Sequence, residues 1–256
     1  QEVVLTYSSK ADKAKGERSF SFRKGHNRLS WNLRYPGPEL VSDLVSMVIR
    51  PNTPGPLAVP GDYQVSLKAG DWTDDKPFKI KADPRWKDVT TADFQAQFDM
   101  AMEMKAMIDE SHQVIKNMRA IRNQVTLISE LGKEAGYPKT VEEAVAKLDT
   151  KLTSVEDKVI QNKAKSSQDA INYPRVFTNH IGRLYGVLNN AHDKPTGGVI
   201  ERYEDLKIEY KVITDEYQQL IDVVMPAFNN LLEQERVGRL IIPYSIKGNV
   251  VLPKKN

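Results

Sequence analysis

The sequence predicts an α+β multidomain protein. We expect an immunoglobulin-like antiparallel β-sandwich in residues 1–88, an antiparallel helical bundle with coiled-coil-like seams in 89–239, and an extended tail in 240–256. Short runs of alternating apolar and polar residues, the period of a half-buried strand, fill the first part. Apolar residues at alternating steps of three and four, the period of a helix seam, fill the second part. All three tryptophans and eight of the 14 prolines precede residue 89, which supports a boundary there.

The strands of the sandwich are predicted from runs in which apolar residues alternate with polar ones. These runs are Phe20 and Phe22; Leu29, Trp31 and Leu33; Tyr63, Val65 and Leu67; and Phe78 and Ile80. The segments 3–7 and 44–49 are more continuously apolar or β-rich. Proline, glycine and asparagine separate the runs as turn residues. Short strands punctuated in this way are typical of a small antiparallel sandwich.

The first helix is predicted to begin around Thr90 and Thr91, ahead of Asp93, and to end near Gly132 or Gly136. Polar residues interrupt its seam in two places, and the apolar positions are Ala101, Met104, Ile108, Ile115, Met118 and Val125. This spacing gives the helix one stripe that must be buried.

The second helix is predicted to begin at Thr140, which forms a capping-box pattern with Glu143. Its seam has no polar break and consists of Val141, Val145, Leu148, Leu152, Val155 and Val159. Stripes of this kind are buried in pairs, so an antiparallel bundle is the economical arrangement.

Two further helices complete the predicted bundle. The third carries Phe177, Ile181, Leu184 and Leu188, and the fourth runs from about 199 to 235 with a kink at Pro226, which lacks a backbone donor. The tail that follows is apolar and strand-like at 240–243 and 250–253, which makes it a candidate to dock on another part of the protein.

The composition argues against several classes of function. A net charge of +3 is too small to indicate a nucleic-acid partner, and no window approaches the roughly 18 apolar residues of a membrane span. The absence of cysteine excludes disulfides and thiolate chemistry. The four histidines show no zinc-binding spacing, and no phosphate-binding loop or nucleophile elbow occurs. We therefore expect no catalytic residue, no cofactor and no metal, and not an enzyme.

Five aromatic residues are candidates for binding a protein partner. Tyr203, Tyr210 and Tyr217 form a stripe at seven-residue steps on the fourth helix, and tyrosine at a seam has both an apolar body and a hydroxyl that needs a partner. Packing within the bundle is the favoured alternative for this stripe. Trp72 and Trp86 flank the end of the predicted sandwich, and Trp86 could instead pack between the two parts.

Six short motifs in chain order resemble the C-terminal region of a bacterial family. These are WNLRYPG at 31–37, PGDYQV at 60–65, KADPR at 81–85, DFQAQF at 93–98, INYP at 171–174 and MPAFN at 225–229. The family consists of large exported proteins with sialidase-like or sortilin-like β-propellers, commonly labelled glycosyl hydrolases. The resemblance implies a sandwich followed by helices, and export to the periplasm, cell surface or medium. Because the propeller and its Ser-x-Asp-x-Gly-x-x-Trp box are missing, it assigns no catalytic residue to this chain.

Three functions remain open on the sequence. The first is a non-catalytic interaction module that docks the parent propellers, a second copy or an assembly partner through its helical arm. The second is an accessory carbohydrate-binding part of a secreted hydrolase, with Trp31 and Trp72 stacking on the glycan. The third is a structural subunit of an extracellular assembly. The start at Gln1, with Met47 as the first methionine, leads us to expect a processed or excised segment.

Overall fold

A computed structural model describes residues 2–12 and 16–240 and is dominated by helices. The helices, with a 3₁₀ turn and a π-helical segment between them, are α1 Thr91–Ala135, α2 Lys139–Val159, the 3₁₀ turn Ser167–Ile171, α3 Phe177–Asn189, α4 Gly197–Gln219, the π segment Leu220–Val224 and α5 Met225–Gln234. The strands form two separate two-stranded sheets: β1 Tyr7–Ser8 with β2 Arg18–Ser19, and β3 Gly61–Ala69 with β4 Trp72–Ile80. The predicted tail beyond residue 240 lies outside the described residues.

The prediction of an immunoglobulin-like β-sandwich is wrong. Each sheet has two strands, and within the described residues neither sheet pairs with the other. Prolines crowd the stretch between residues 36 and 60, where they remove backbone donors that a strand ladder needs. The apolar residues there, including Val41 and Ile49, are buried against the helices instead. Alternation of apolar and polar residues alone does not distinguish a segment that packs on helices from a strand of a sheet.

A segment that we call the strap, residues 34–58, covers the groove between α1 and α3. Its backbone and side chains bond directly to both helices. The Val41 N–H donates to Nδ1 of His112 on α1 at 3.2 Å, and the hydroxyl of Tyr185 on α3 donates to the Pro54 carbonyl at 2.9 Å. Arg34 donates to the Asn189 side chain at 3.0 Å, at the end of α3. The strap therefore belongs to the core of the helical body.

The predicted limits of the first helix are confirmed by its caps. The Thr90 hydroxyl accepts from the Asp93 N–H while the Asp93 carboxylate accepts from the Thr90 N–H, which is a complete capping box. At the other end Gly136 adopts a left-handed conformation with φ 66°, the usual way to stop a helix. With 45 residues, α1 spans about 68 Å and is the longest helix of the described residues.

The helices form a bundle with mixed directions, which corrects the expectation of a purely antiparallel one. α2 and α3 return along the two halves of α1: Arg122 bonds Asp149 on α2 at 3.0 Å, and Gln97 donates to the Leu188 carbonyl on α3 at 2.6 Å. The path from α4 through the π segment to α5 then runs parallel to α1, because the hydroxyls of Tyr203 and Tyr210 bond residues that lie in the same order on α1.

The predicted capping box of the second helix is wrong. The helix begins one residue earlier, with Pro138 at the cap and no side-chain cap bond. The Thr140 hydroxyl donates instead to the Glu235 carboxylate at 3.0 Å, which links the start of α2 to the end of α5. A tertiary contact has replaced the local one that the motif indicates.

The expected disturbance near Pro226 takes the form of a π turn. Five residues, Leu220–Val224, precede Met225, whose N–H bonds the Leu220 carbonyl five positions back. Proline cannot donate to the carbonyl four residues before it, and a wider turn accommodates this loss. The helical path continues through the proline to Gln234.

The predicted seams are confirmed as the core. The buried seam residues include Met104, Ile108, Ile115, Met118, Leu148, Leu152, Phe177, Ile181, Leu206 and Ile213. After the π segment the prediction is wrong by one residue, since the buried positions are Met225, Phe228 and Leu232, each one residue later than the uninterrupted heptad spacing gives. Full burial of one such side chain is worth about 1.5–3 kcal/mol. The heptad spacing thus identified the residues that hold the body together.

Candidate docking surface

The β3–β4 hairpin is closed by a two-residue turn. Ala69 pairs with Trp72 at the turn and Gly61 pairs with Ile80 at the base, so the ladder is continuous over nine residue pairs. Gly70 has φ 61° at the first turn position, where a type II′ turn requires a positive φ and glycine adopts it without strain. The sequence therefore determines both the turn and the register.

One face of this hairpin carries three exposed apolar side chains. Because strand side chains alternate, Val65 and Leu67 of β3 share a face with Trp72 of β4. Lys76 and Asp74, which pair with Val65 and Leu67, lie on the same face and form an ion pair at 3.1 Å. These three side chains are 52%, 60% and 54% exposed. Exposed apolar side chains that lie together on one face and are bordered by polar residues are a feature of interaction surfaces. We call this the apolar face of the hairpin.

The base of the apolar face is anchored by aromatic contacts. Tyr63 and Phe78 stack with ring centroids 5.8 Å apart, and Trp31 meets both rings edge-on at 6.1 and 6.4 Å. The Trp31 indole N–H donates to the Arg34 carbonyl at 2.9 Å. Trp31 therefore connects the hairpin to the strap, and its ring is engaged by protein. Of the two tryptophans named for glycan stacking, Trp31 is partly buried and Trp72 is exposed.

The two edges of the hairpin differ. In a hairpin with a two-residue turn, the pair beside the turn exchanges both hydrogen bonds and the pairs alternate from there. Gln64 and Pro77 therefore form a non-bonded pair whose backbone nitrogens point outward. On β4 that nitrogen belongs to proline and donates nothing, whereas the outer edge of β3 has no proline among its nine residues. The β3 edge is the one open to a further strand.

The three tyrosines that were candidates for partner binding lie inside the bundle. Tyr203, Tyr210 and Tyr217 are buried, and each hydroxyl is hydrogen-bonded to a side chain of α1. Burial, followed by the hydrogen bond to Glu110, raises the pKa of Tyr210 far above its usual range. The structure thus places the stripe in the core, as the packing alternative expects.

The two candidate tryptophans lie apart from each other. Trp72 stands beside the hairpin turn, and Trp86 lies against His192 with ring centroids 5.6 Å apart. Trp86 is about half exposed at the start of α1 and packs on the loop that joins α3 to α4. The apolar face therefore includes Trp72 and excludes Trp86.

Buried polar groups in the body serve the packing of its elements. Glu156 on α2 is buried and accepts hydrogen bonds from Arg119, at 2.8 Å, and from Arg122, both on α1. Arg119 also bonds Asp43 of the strap at 2.6 Å, and this hydrogen bond lowers the pKa of Asp43. Arg119 of α1 thereby joins α2 and the strap through two carboxylates.

His112 is fully buried between the strap and α3. Its Nδ1 accepts from the Val41 N–H, and its Nε2 lies 3.5 Å from the Thr178 hydroxyl. Burial, with Lys116 and Arg119 nearby, lowers the pKa of His112 to about 4. The ring is therefore neutral at pH 7 and acts as a structural acceptor.

Within residues 2–12 and 16–240, no group of three or more His, Asp or Glu side chains is placed to hold a metal ion. A depression lined by Val45, Tyr173 and Arg175 has room for about one water molecule. No helix of this part of the chain is both long and apolar enough to cross a membrane.

Comparison with protein-family models, curated proteins and solved structures gives no match for this chain. The resemblance to the C-terminal region of exported propeller proteins therefore stays a prediction. The helical body and the hairpin must be interpreted from their own geometry.

The sequence predicted the hairpin strands but not the exposure of their apolar face. The alternation of Tyr63, Val65 and Leu67 predicted a strand with one covered face, and the structure leaves most of that face open. The proline-rich stretch before residue 60 indicates that this face stays uncovered, because such a stretch does not form the strands of a second sheet.

Proposed function

We propose that this chain is a non-catalytic docking module of an exported protein, in which the helical body supports the hairpin and the apolar face of the hairpin binds a protein partner. The observation that carries the proposal is the exposure of Val65, Leu67 and Trp72 together on one face. A two-stranded hairpin alone is marginally stable in water and gains most from a cover on its apolar side. The partner would provide that cover.

The docking surface is proposed on the hairpin and not on the helical arm. The tyrosine stripe and the heptad seams that suggested the arm are buried within the bundle. By contrast, the hairpin exposes an aromatic residue and two aliphatic residues next to each other, and central aromatic residues provide much of the affinity in protein interfaces. Covering each of these side chains would contribute about 1–2 kcal/mol, since each is already partly buried.

The resemblance to the C-terminal region of propeller proteins supports a docking role for the same surface. Such a region lies beside propeller domains in its parent protein, and a β-rich neighbour could cover a hairpin face. Export and a bacterial source are part of the same proposal.

Photo-crosslinking in the producing cells tests the proposal. A photoreactive residue replaces Leu67 or Trp72 on the apolar face, and matched controls carry it at Ser66 or Thr73 on the opposite face of the same strands. We expect a covalent adduct with an identified protein from positions 67 and 72 and little from 66 and 73. Equal adducts from both faces, or none from either, would contradict the proposal.

A further inference from the structure

We propose that the outer edge of β3 accepts a third strand, residues 244–252 from a second copy of this chain. The inference rests on the proposed docking role of the hairpin and names a partner for its edge, beside the apolar face. It joins an acceptor edge seen in the structure to a segment of the tail that the structure does not describe.

The acceptor is a nine-residue edge with free backbone groups. By the alternation from the turn, Asp62, Gln64, Ser66 and Lys68 direct their N–H and C=O groups away from β4. No backbone hydrogen bond from elsewhere in the described part of the chain reaches these four residues. Extended segments add to such edges through main-chain hydrogen bonds, and alternate side chains then give specificity.

The donor segment matches this edge in length and in pattern. Pro243 and Pro253 bound a run of nine residues, the length of β3. Within it the even positions are largely apolar and the odd positions largely polar: Tyr244, Ile246, Val250 and Leu252 alternate with Ser245, Lys247 and Asn249. Paired in phase with β3, the apolar set would extend the apolar face beside Val65 and Leu67.

The same chain cannot supply this strand to its own hairpin, because its ends are too far apart. The Leu240 N–H donates to the Asn229 side chain on α5 at 2.8 Å. Asn229 lies twelve residues beyond Tyr217, which bonds Asn117 on α1. The base of the hairpin is anchored through Arg34 and Asn189, level with Gln97 near the start of α1. At 1.5 Å per residue, Leu240 and the hairpin base are about 48 Å apart along the bundle.

The tail covers too little of this distance before the proposed strand begins. Four residues connect Leu240 to Tyr244 and span at most about 14 Å when fully extended. Both faces of the hairpin are exposed beyond Tyr63, so the hairpin projects from the body and does not lie back along it toward α5. A second copy has no such restriction.

The position of donor and acceptor predicts how copies assemble. Leu240 lies toward one end of the bundle and the hairpin stands at the other end, so the contact would join two different surfaces. Heterologous contacts of this kind give rings when they close and longer chains when they do not. A reciprocal exchange between two copies lying side by side uses the same two surfaces. In each case the association depends on residues 244–252.

The full-length chain and four variants test the proposal by light scattering and sedimentation over a range of concentrations. Ile246→Lys with Val250→Lys places charge on the apolar side of the donor, and Ser245→Lys with Asn249→Lys is the matched control on its polar side. Gln64→Pro removes the outward N–H of the acceptor as Pro77 does on the other edge, and Lys79→Ala is the control on β4. We expect the wild-type chain to associate in a concentration-dependent way. The Ile246→Lys, Val250→Lys variant and the Gln64→Pro variant should stay monomeric, whereas the two control variants should associate like the wild type.

A labelled peptide of residues 244–252 provides the second readout, by fluorescence anisotropy. We expect it to bind the full-length Ile246→Lys, Val250→Lys chain with micromolar affinity and to lose binding when Gln64→Pro is added. Circular dichroism shows whether Gln64→Pro leaves the fold intact. A wild-type chain that stays monomeric at every concentration, or a peptide that fails to bind, overturns the inference. If the photo-crosslink at Leu67 still identifies another protein, the docking role stands while the second copy is excluded.

Discussion

The hydroxyl of Tyr210 on α4 donates a hydrogen bond of 2.6 Å to the carboxylate of Glu110 on α1, 100 residues earlier in the chain. The same offset recurs one heptad before, where Tyr203 donates to Glu103 at 3.2 Å, and one heptad after, where the Asn117 amide donates to Tyr217 at 3.0 Å. A repeated offset of this kind requires two helices that run in the same direction with matched heptads. The three polar contacts therefore fix both the direction and the register of α4 on α1.

Removing the central hydroxyl should weaken this register. Tyr210→Phe keeps the ring, which stacks on Phe177 at 5.5 Å, and removes the donor to a partly buried carboxylate. Hydrogen bonds to charged groups contribute about 1.5–3 kcal/mol, and we expect a loss in that range from urea unfolding. A double-mutant cycle with Glu110→Ala, which removes the acceptor, is the control. If the two single losses simply add, the two side chains do not interact and the interpretation is wrong.

The stability of the body should depend on pH through His112. The pKa of this ring is about 4 in the folded chain, because burial disfavours its charged form, and about 6.5 when the chain unfolds. The unfolded chain therefore binds the proton first as pH falls. The contribution of neutral His112 is complete above pH 6.5 and is lost progressively from there toward pH 4.

His112→Asn tests this dependence, since the Asn side-chain oxygen can still accept from the Val41 N–H and does not titrate. Between pH 7 and pH 5 we expect the wild type to lose about 2 kcal/mol more of its unfolding free energy than the variant. Denaturant unfolding at each pH measures the difference. Parallel pH profiles for the two proteins would show that His112 titrates alike in both states.

The helices could be predicted from the sequence because a heptad seam has one physical use, burial against another helix. Val141, Leu148 and Leu152 are buried as that spacing requires. The alternating runs of the first part were ambiguous, because a strand face can be covered by a sheet, by a helix or by nothing. Val41 and Ile49 pack on helices, whereas Val65 and Leu67 remain open. Which case applies depends on tertiary contacts that no local pattern contains.

The candidate site illustrates the same limit. The tyrosine stripe at 203, 210 and 217 gives a clear period, but the sequence cannot show that α1 offers Glu103, Glu110 and Asn117 at a matching offset. Trp72 was a candidate on its own merits, and the structure adds Val65 and Leu67 beside it. Whether the three tyrosines are exposed or buried depends on the direction of α4 relative to α1, which is a long-range property.

The buried carboxylate of Glu156 should contribute more to stability than an exposed one on the same helix. Glu156→Gln preserves shape but leaves Arg119 and Arg122 without their shared anion. The arginines are partly exposed and keep Asp43 and Asp149, so we expect a loss of about 2–3 kcal/mol, below the cost of a fully buried broken pair. The control is Glu143→Gln, which removes an exposed pair with Lys139 and should change stability by less than about 0.5 kcal/mol. Urea unfolding measures both variants. If Glu156→Gln and Glu143→Gln lower the free energy of unfolding by similar amounts, the prediction is wrong.

Two glycine-to-alanine changes should have opposite signs. Gly55 lies in the strap, where an added Cβ would overlap the backbone carbonyl oxygens of Tyr35 and Pro36, which cannot move without opening the turn. We expect Gly55→Ala to cost about 1–3 kcal/mol. Gly186 lies within α3 with open space around it, so Gly186→Ala should stabilise by about 0.5–1 kcal/mol through better helix propensity. Urea unfolding measures both, and a destabilising Gly186→Ala together with a neutral Gly55→Ala would mean that the strap does not pack its two Pro-Gly-Pro turns, 36–38 and 54–56, against each other.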